Sequence, residues 1–256
     1  MQLPAQPIGP LLRQWRERRR MSQLALALDA NISAKHVSFV ESGRASPSRD
    51  MVLALAEALA VPLRARNALL LAAGFAPAYP ELGLDAPELA AARRAVDLVL
   101  AGHEPYPAIA IDRHWQLVAA NRAFAPLVAG ISPALLAPPV NVLRLSFHPE
   151  GLAPRILNFP DWRAHALHRL QHQVDVSGDP VLAALLDELG GGARLPAPAP
   201  SELYASLRIR VGARDLAFLS ATTVFGTPVD VTLSELAIES FFPADTATAE
   251  ALRAGI

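Results

Sequence analysis

Residues 22–43 read SQLALALDANISAKHVSFVESG, and no other run in the chain constrains the fold as much. Two apolar patterns of helical period, each about two turns long, meet at Asn31. Helices this short are not stable alone in water, because nucleation is costly and isolated helices need about 12 to 15 residues. Each must therefore bury an apolar stripe against neighbours. Asparagine is one of the few non-glycine residues that tolerate a left-handed backbone, so Asn31 can turn the chain sharply between them. Ser22 and Ser33 stand where N-caps belong, and Gly43 stands where the second pattern should end. In that second pattern Val37 and Val40 point inward, three residues apart. Ala34, Lys35, Ser38 and Phe39 are left on a face the apolar residues do not use.

The flanking sequence supplies the neighbours. Leu11, Leu12 and Trp15 give a preceding helix its stripe, Pro47 and Ser48 open a helix over 51–60, Pro62 opens another, and Gly74 stops it. Residues 10–73 are thus expected to form five short helices.

With 256 residues, 52% of them hydrophobic, the chain can bury two cores, and two domains are expected. The charge is divided along the same line. Residues 1–75 hold 10 Arg or Lys against 5 Asp or Glu, a net +5, whereas the remainder holds 13 against 19, a net −6. A basic head on an acidic body suits a polyanion-binding domain joined to a sensing or assembly domain. With no cysteine, disulfides and thiolate metal sites are excluded. RQWRERRR followed by MSQLALAL has the outline of a signal peptide, but Asp29 soon interrupts the apolar stretch and no small-residue cleavage site follows. No run approaches the roughly 18 uncharged apolar residues of a membrane span, so a soluble, cytoplasmic protein is expected.

The stretch SQLALALDANISAKHVSFVESGRASPS resembles the helix-turn-helix of the phage-repressor or XRE type. Ser22, Gln23, Leu26, Ala27, Ile32, Ser33, Val37, Ser38, Glu41, Gly43 and Pro47 fall in place, with Asn31 where the family has its turn glycine. The resemblance implies double-stranded DNA as partner, with the second motif helix in the major groove. Gln23 would hold the phosphate backbone, and Ser33, Ala34, Lys35, Ser38 and Phe39 would face base edges. Lys35 can donate to guanine, and Ala34 and Phe39 can touch a thymine methyl. Arg44 and Arg49 suit phosphates. Arg16 and Glu41 match a structural ion pair of this family and should touch no base.

After the Pro-rich GFAPAYPELGLDAPE comes a helix over 90–100, then the strand-like AIAIDRHWQLVAAN, a short helix in NRAFAPLVAG, the segment NVLRLSFHPEG, and helices over 161–174 and 180–189. GGGARLPAPAP reads as a loop, and SLRIRV, DLAFLSATTVF and LSELAIESFF as antiparallel strands. The fold class expected is multidomain: an all-α five-helix head followed by an α+β domain with an antiparallel sheet and helices over one face. PAIAIDRHWQLVAANRAF, NVLRLSFHP, DWRAHALHRL and DPVLAALLDEL resemble the MmyB-like ligand-binding domain, a PAS-type fold found behind XRE heads in bacterial regulators. Beyond Leu189 the family's Ser-x-x-Phe and Trp pattern is absent. The divisions expected are 1–76 for the DNA-binding head, 77–106 for a linker and connecting helix, and 107–256 for the ligand-binding domain.

This resemblance implies a small apolar ligand such as a fatty acid. A sheet covered by helices can enclose an apolar cavity with a few polar groups. Its candidate lining is Trp115, Phe124, Leu127, Leu145, Phe147, Trp162, Leu170, Phe218 and Phe225. Arg144, His148 and Arg163 could pair with a ligand carboxylate. His165, His168 and His172 can share one helix face, but no HExxH accompanies them, and Asp161 and Asp175 are the only acids near by in sequence. No Gly-rich phosphate loop or G-x-S-x-G elbow occurs. Neither a metal, nor a cofactor, nor an enzyme activity is expected. The function expected is a regulator that binds a pseudo-palindromic operator as a homodimer under control of the apolar effector. The alternative is a DNA-binding protein whose second domain only dimerises or recruits a protein partner.

Overall fold

Hydroxyl groups fix where three of the five N-terminal helices begin. In the computed structural model, which describes residues 7–191, 206–226, 228 and 230–255, Ser22, Ser33 and Ser48 each accept a backbone N–H at the start of a helix. The helices are α1 (Ile8–Arg18), α2 (Gln23–Asp29), α3 (Ala34–Glu41), α4 (Arg49–Ala58) and α5 (Leu63–Ala72). Asn31 makes the α2–α3 turn at φ +54°, in the left-handed region where few side chains are tolerated. Leu12, Trp15, Leu26, Ala27, Val37, Val40, Leu55 and Leu70 close one core. Burying a leucine or valine fully contributes about 1.5 to 3 kcal/mol, which is how helices of seven and eight residues persist. Gly9 lets α1 approach the end of α3: a Cβ there would lie 2.6 Å from the Glu41 carbonyl oxygen. The chain leaving α5 is tied back by Asn67, whose amide donates to the Tyr79 carbonyl and accepts from the Ala78 and Tyr79 N–H groups.

A second compact unit begins at Gly83. From there on the elements are α6 (Ala90–Gly102), β1 (Ala108–Ile111), β2 (Leu117–Ala120), α7 (Ala125–Val128), α8 (Val142–Phe147), α9 (Phe159–Ser177), α10 (Pro180–Gly190), β3 (Ser206–Val211), β4 (Arg214–Val224), α11 (Val231–Ser234), β5 (Ala237–Pro243) and α12 (Thr246–Arg253), of which Asp175–Ser177 and Val231 cluster with the first unit. The strands form one antiparallel sheet in the order β2-β1-β5-β4-β3. The fold is multidomain, all-α followed by α+β.

Two features depart from expectation. Helices were expected over one face of the sheet, yet they cover both. Ile109, Ile111, Leu207, Ile209, Phe218 and Phe241 pack with Leu145, Ala166 and Leu170 on one side. On the other, Val96 and Leu100 of α6 pack on Ala108, Ala110 and Ile238. The signal for this is AIAI in β1, an unbroken apolar run buried at all four positions, as two-sided burial demands. The C-terminal helix α12 was also not foreseen. Asp245 caps it through the Thr248 N–H, and Thr248 Oγ1 accepts from Ala217 N on β4 at 2.9 Å. The expected GGGARLPAPAP loop lies, beyond Gly191, outside the described residues.

Candidate DNA-binding face and ligand cavity

Packing decides which side of α3 is free. Val37 and Val40 are fully buried, so Lys35 is exposed and Ser38 and Phe39 are half-buried on the opposite side. The Phe39 ring carries two cations, with Lys35 Nζ 5.5 Å and the Arg44 guanidinium 4.4 Å from its centroid. Arg44 also donates to Ser42 Oγ at 2.9 Å, and Arg49 lies exposed at the first position of α4. Ser33 Oγ is engaged as the α3 cap, accepting from His36 N, and Ala34 packs partly against the core.

Behind this face lies a buried ion pair. Arg16 Nε and Nη2 donate to Glu41 Oε1 and Oε2 at 2.6 and 2.9 Å, and Arg16 Nη1 donates to the Met21 carbonyl at 2.8 Å. The Glu41 hydrogen bond holds the Arg16 guanidinium above its ordinary value despite burial. Gln23, expected at a phosphate, donates its Nε2 to Glu41 Oε2 at 2.8 Å, so the same carboxylate ties α1, α2 and α3 together.

In the second unit a mainly apolar cavity of about 60 Å³ lies between the sheet and helices α8 and α9. Of the expected lining, Trp115, Phe124, Leu127, Leu145 and Trp162 border it. Seven other expected residues do not. Leu170 and Phe218 are solid core, fully buried. Phe225 packs on the α6 side of the sheet. Phe147 sits edge-on to Phe159 and beneath the Arg163 guanidinium. The three expected carboxylate partners are occupied elsewhere. Arg144 forms a two-point pair with Glu188 on the surface, Arg163 donates to the Leu189 carbonyl, and His148 Nδ1 accepts from Glu150 N.

The charges at the cavity are instead Arg169 and Glu239, with His165 beside them. Arg169 Nη1 and Nη2 donate to Glu239 Oε2 and Oε1 at 3.1 and 2.6 Å, and Thr222 Oγ1 donates to Glu239 Oε1 at 3.0 Å. The Arg169 guanidinium lies 4.8 Å from the Trp115 ring centroid, and Trp115 Nε1 donates to Gln173 Oε1 at 2.7 Å. Trp115 adopts φ +64°, a strained conformation for a bulky residue. Asp112 holds the turn before it by accepting the His114 and Gln116 N–H groups, both at 2.8 Å. Both missed charges were signalled by period. Arg169 is seven residues after Trp162 and four after His165, on one helical face. Glu239 alternates with Phe241 on one strand face. Of the three histidines, His165 faces the cavity while His168 and His172 are exposed. Among the described residues no group of three or more His, Cys, Asp or Glu could hold a metal ion.

Residues 92–254 match the MmyB-like transcription regulator ligand binding domain. The chain belongs to this MmyB-like family. Residues 12–65 match the helix-turn-helix model, covering α2, α3 and the ion pair. No curated protein matches the chain. The MmyB-like match begins inside α6, which packs on the sheet. A helix-turn-helix followed by an MmyB-like ligand-binding domain makes this chain a DNA-binding transcription regulator. Both matched families are regulator domains, and among the described residues no helix is long and apolar enough to cross a membrane.

Proposed function

We propose that this MmyB-like protein is a cytoplasmic, non-enzymatic regulator that binds a pseudo-palindromic operator as a homodimer and is controlled by a small apolar, fatty-acid-like ligand in its PAS-like C-terminal domain. The observation that carries the DNA reading is the stack of exposed Lys35 and Arg44 on the half-buried Phe39 ring, at α3 and the turn after it. It offers a donor, an apolar ring and a phosphate partner in one place. Ser33, Ala34 and Ser38 complete the reading face, Arg49 adds a phosphate contact, and Gln23 acts from its bond to Glu41.

One such head covers only a few base pairs, so specificity calls for two heads on half-sites about 34 to 36 Å apart or multiples of that. Leu98 and Val99, apolar and exposed on α6, support assembly through the second domain. For the ligand, Trp115, Phe124, Leu127, Leu145 and Trp162 supply apolar wall, and Arg169, Glu239 and His165 the polar end. The same exposed α6 residues favour a second reading, in which the C-terminal domain serves only for dimerisation or partner recruitment.

Genome-wide mapping of bound DNA, followed by footprinting of a recovered site and native mass spectrometry of the purified protein, tests the proposal. Two protected half-sites per dimer and a retained small molecule are expected. A consistently empty dimer would favour the second reading, and sequence-independent binding would overturn the operator.

A further inference from the structure

We infer that the outer face of α6 pairs antiparallel with α6 of a second copy across a two-fold axis. This rests on the homodimer reading and assigns the contact a place. Val96 and Leu100 turn α6 onto the sheet. At about 100° per residue, the direction opposite to them belongs to Leu98. Leu98 is 73% exposed, more than any other large apolar residue among those described. Ala91 and Ala101, seven residues before it and three after, are exposed on the same stripe. Nothing bulky on that stripe keeps a second helix away.

The flanks decide the occupant. Arg94 and Asp97 lie to one side of Leu98, and Ala95 and Val99 to the other. Both charged residues are exposed, and neither side chain forms an ion pair or hydrogen bond among the described residues. A two-fold axis perpendicular to two antiparallel helices sets each flank against the same flank of the other copy, reversed in direction. With the helices crossing near residue 96, Arg94 then opposes Asp97 of the second copy, and Asp97 opposes its Arg94. On the other side the apolar flank meets itself. A parallel copy would instead set the charged flank beside the apolar one and leave both charges unpaired, so the pattern selects the antiparallel pairing. No second sequence is needed, because the surface is complementary to itself. Size sets the strength. The 13 residues of α6 span about 20 Å, and one helix face falls short of the about 800 Å² per partner of a standard interface. The pairing should be weak in free solution and be reinforced when two heads share one operator.

The test uses the full-length protein, in which the lack of cysteine lets a single introduced thiol report on the contact. Sedimentation velocity over a concentration series should show a reversible monomer–dimer equilibrium. Leu98→Glu should raise the dimer dissociation constant about tenfold or more, since a leucine leaves the contact on both copies. Arg94→Asp and Asp97→Arg should each raise it about threefold to tenfold by setting like charges opposite. The double variant Arg94→Asp/Asp97→Arg restores opposite charges and should return to within about twofold of the parent. A short bis-maleimide should join two copies of Ala95→Cys but not of Ala134→Cys, which is exposed elsewhere. Thermal unfolding checks that every variant is folded. A dimer indifferent to Leu98→Glu and to both reversals overturns the inference, gives the α6 face to some other partner and leaves the homodimer reading standing. Reversals that weaken the dimer without recovery in the double variant overturn the antiparallel pairing. A parent that stays monomeric and yields no cross-link also overturns the inference, and the homodimer reading then stands or falls on the footprint of two half-sites.

Discussion

Arg16 on α1 and Glu41 on α3 meet in a two-point ion pair 25 residues apart in sequence, with only 12% and 4% of their side chains exposed. The reading helix is thus locked to the helix before the motif through a buried carboxylate, which also holds Gln23. Its contribution is positional. A buried pair gains little over an apolar pair, but losing one partner strands a charge.

Removing either partner alone should therefore be severe. Arg16→Met or Glu41→Leu is expected to destabilise the protein by about 3 to 5 kcal/mol, whereas the double variant should recover much of that loss. Denaturant unfolding of the four proteins gives the cycle. Additive losses would show that the two residues act independently.

On the outer face, Lys35 and Arg44 flank the same ring but should behave differently on DNA. Lys35→Ala should weaken specific binding by about 1 to 3 kcal/mol and relax preference at one operator position. Arg44→Ala should weaken all sequences alike and reduce the salt slope by about 1. Binding titrations on operator and random DNA over a salt series separate the two. An equal loss on both DNAs for Lys35→Ala would make it a phosphate contact.

Local signals were the ones legible in the sequence. Ser22, Ser33, Ser48 and Asn31 act within three or four residues of themselves, and each is found capping or turning as its chemistry dictates. The pairing of Arg169 with Glu239 spans 70 residues, and periodicity can place each on a face without saying that the faces meet. Arg144 and Arg163 can each form charge-assisted hydrogen bonds with a carboxylate, but that capacity does not fix which way they turn. Which of several arginines turns inward depends on partners such as Glu188 and the Leu189 carbonyl, which lie on another helix. Gly9 carries no local signal either: only the approach of α1 to the Glu41 carbonyl gives a glycine in the first turn of α1 its meaning.

That approach leaves no room for a methyl group. Gly9→Ala would set a Cβ 2.6 and 2.7 Å from the Glu41 and Val40 carbonyl oxygens. Backbone atoms cannot move aside as a flexible side chain can. A loss of about 1 to 3 kcal/mol is expected despite alanine's better helix propensity. Thermal unfolding decides the sign, and a more stable variant would mean that α1 can shift without cost.

Acid should loosen the contact between the β1–β2 turn and α10. Asp179 caps α10 through the Val181 N–H and pairs with His114 at 3.0 Å, with Arg113 near by. Burial pulls its carboxyl upward, but the His114 and Val181 hydrogen bonds and the Arg113 charge outweigh that and hold it below the ordinary value. A carboxyl depressed on folding contributes stability above its unfolded pKa, about 3.9, and loses it as pH falls through the lower folded value. Asp179→Asn should therefore lower stability at neutral pH and flatten the decline between about pH 4 and pH 2. Urea unfolding at several pH values checks this. A parallel offset at every pH would show that only the cap matters.

Trp162 begins the inward face of α9 and borders the cavity together with His165 and Arg169. An effector can shift a regulator no further than its affinity ratio for the two states allows, so a side chain that touches the ligand sets that ratio. Trp162→Ala should blunt the ligand's effect on operator binding while leaving ligand-free affinity close to the parent's, because the α3 face is untouched. Losing a large aromatic side chain from a core can cost about 3 to 5 kcal/mol, and Trp162 is only half-buried. Operator binding with and without octanoate, measured beside thermal unfolding, separates lost response from lost fold. A folded variant that responds as the parent does would assign Trp162 to passive wall and move the responsive contact to Trp115, where the Arg169 guanidinium and the Gln173 amide already converge.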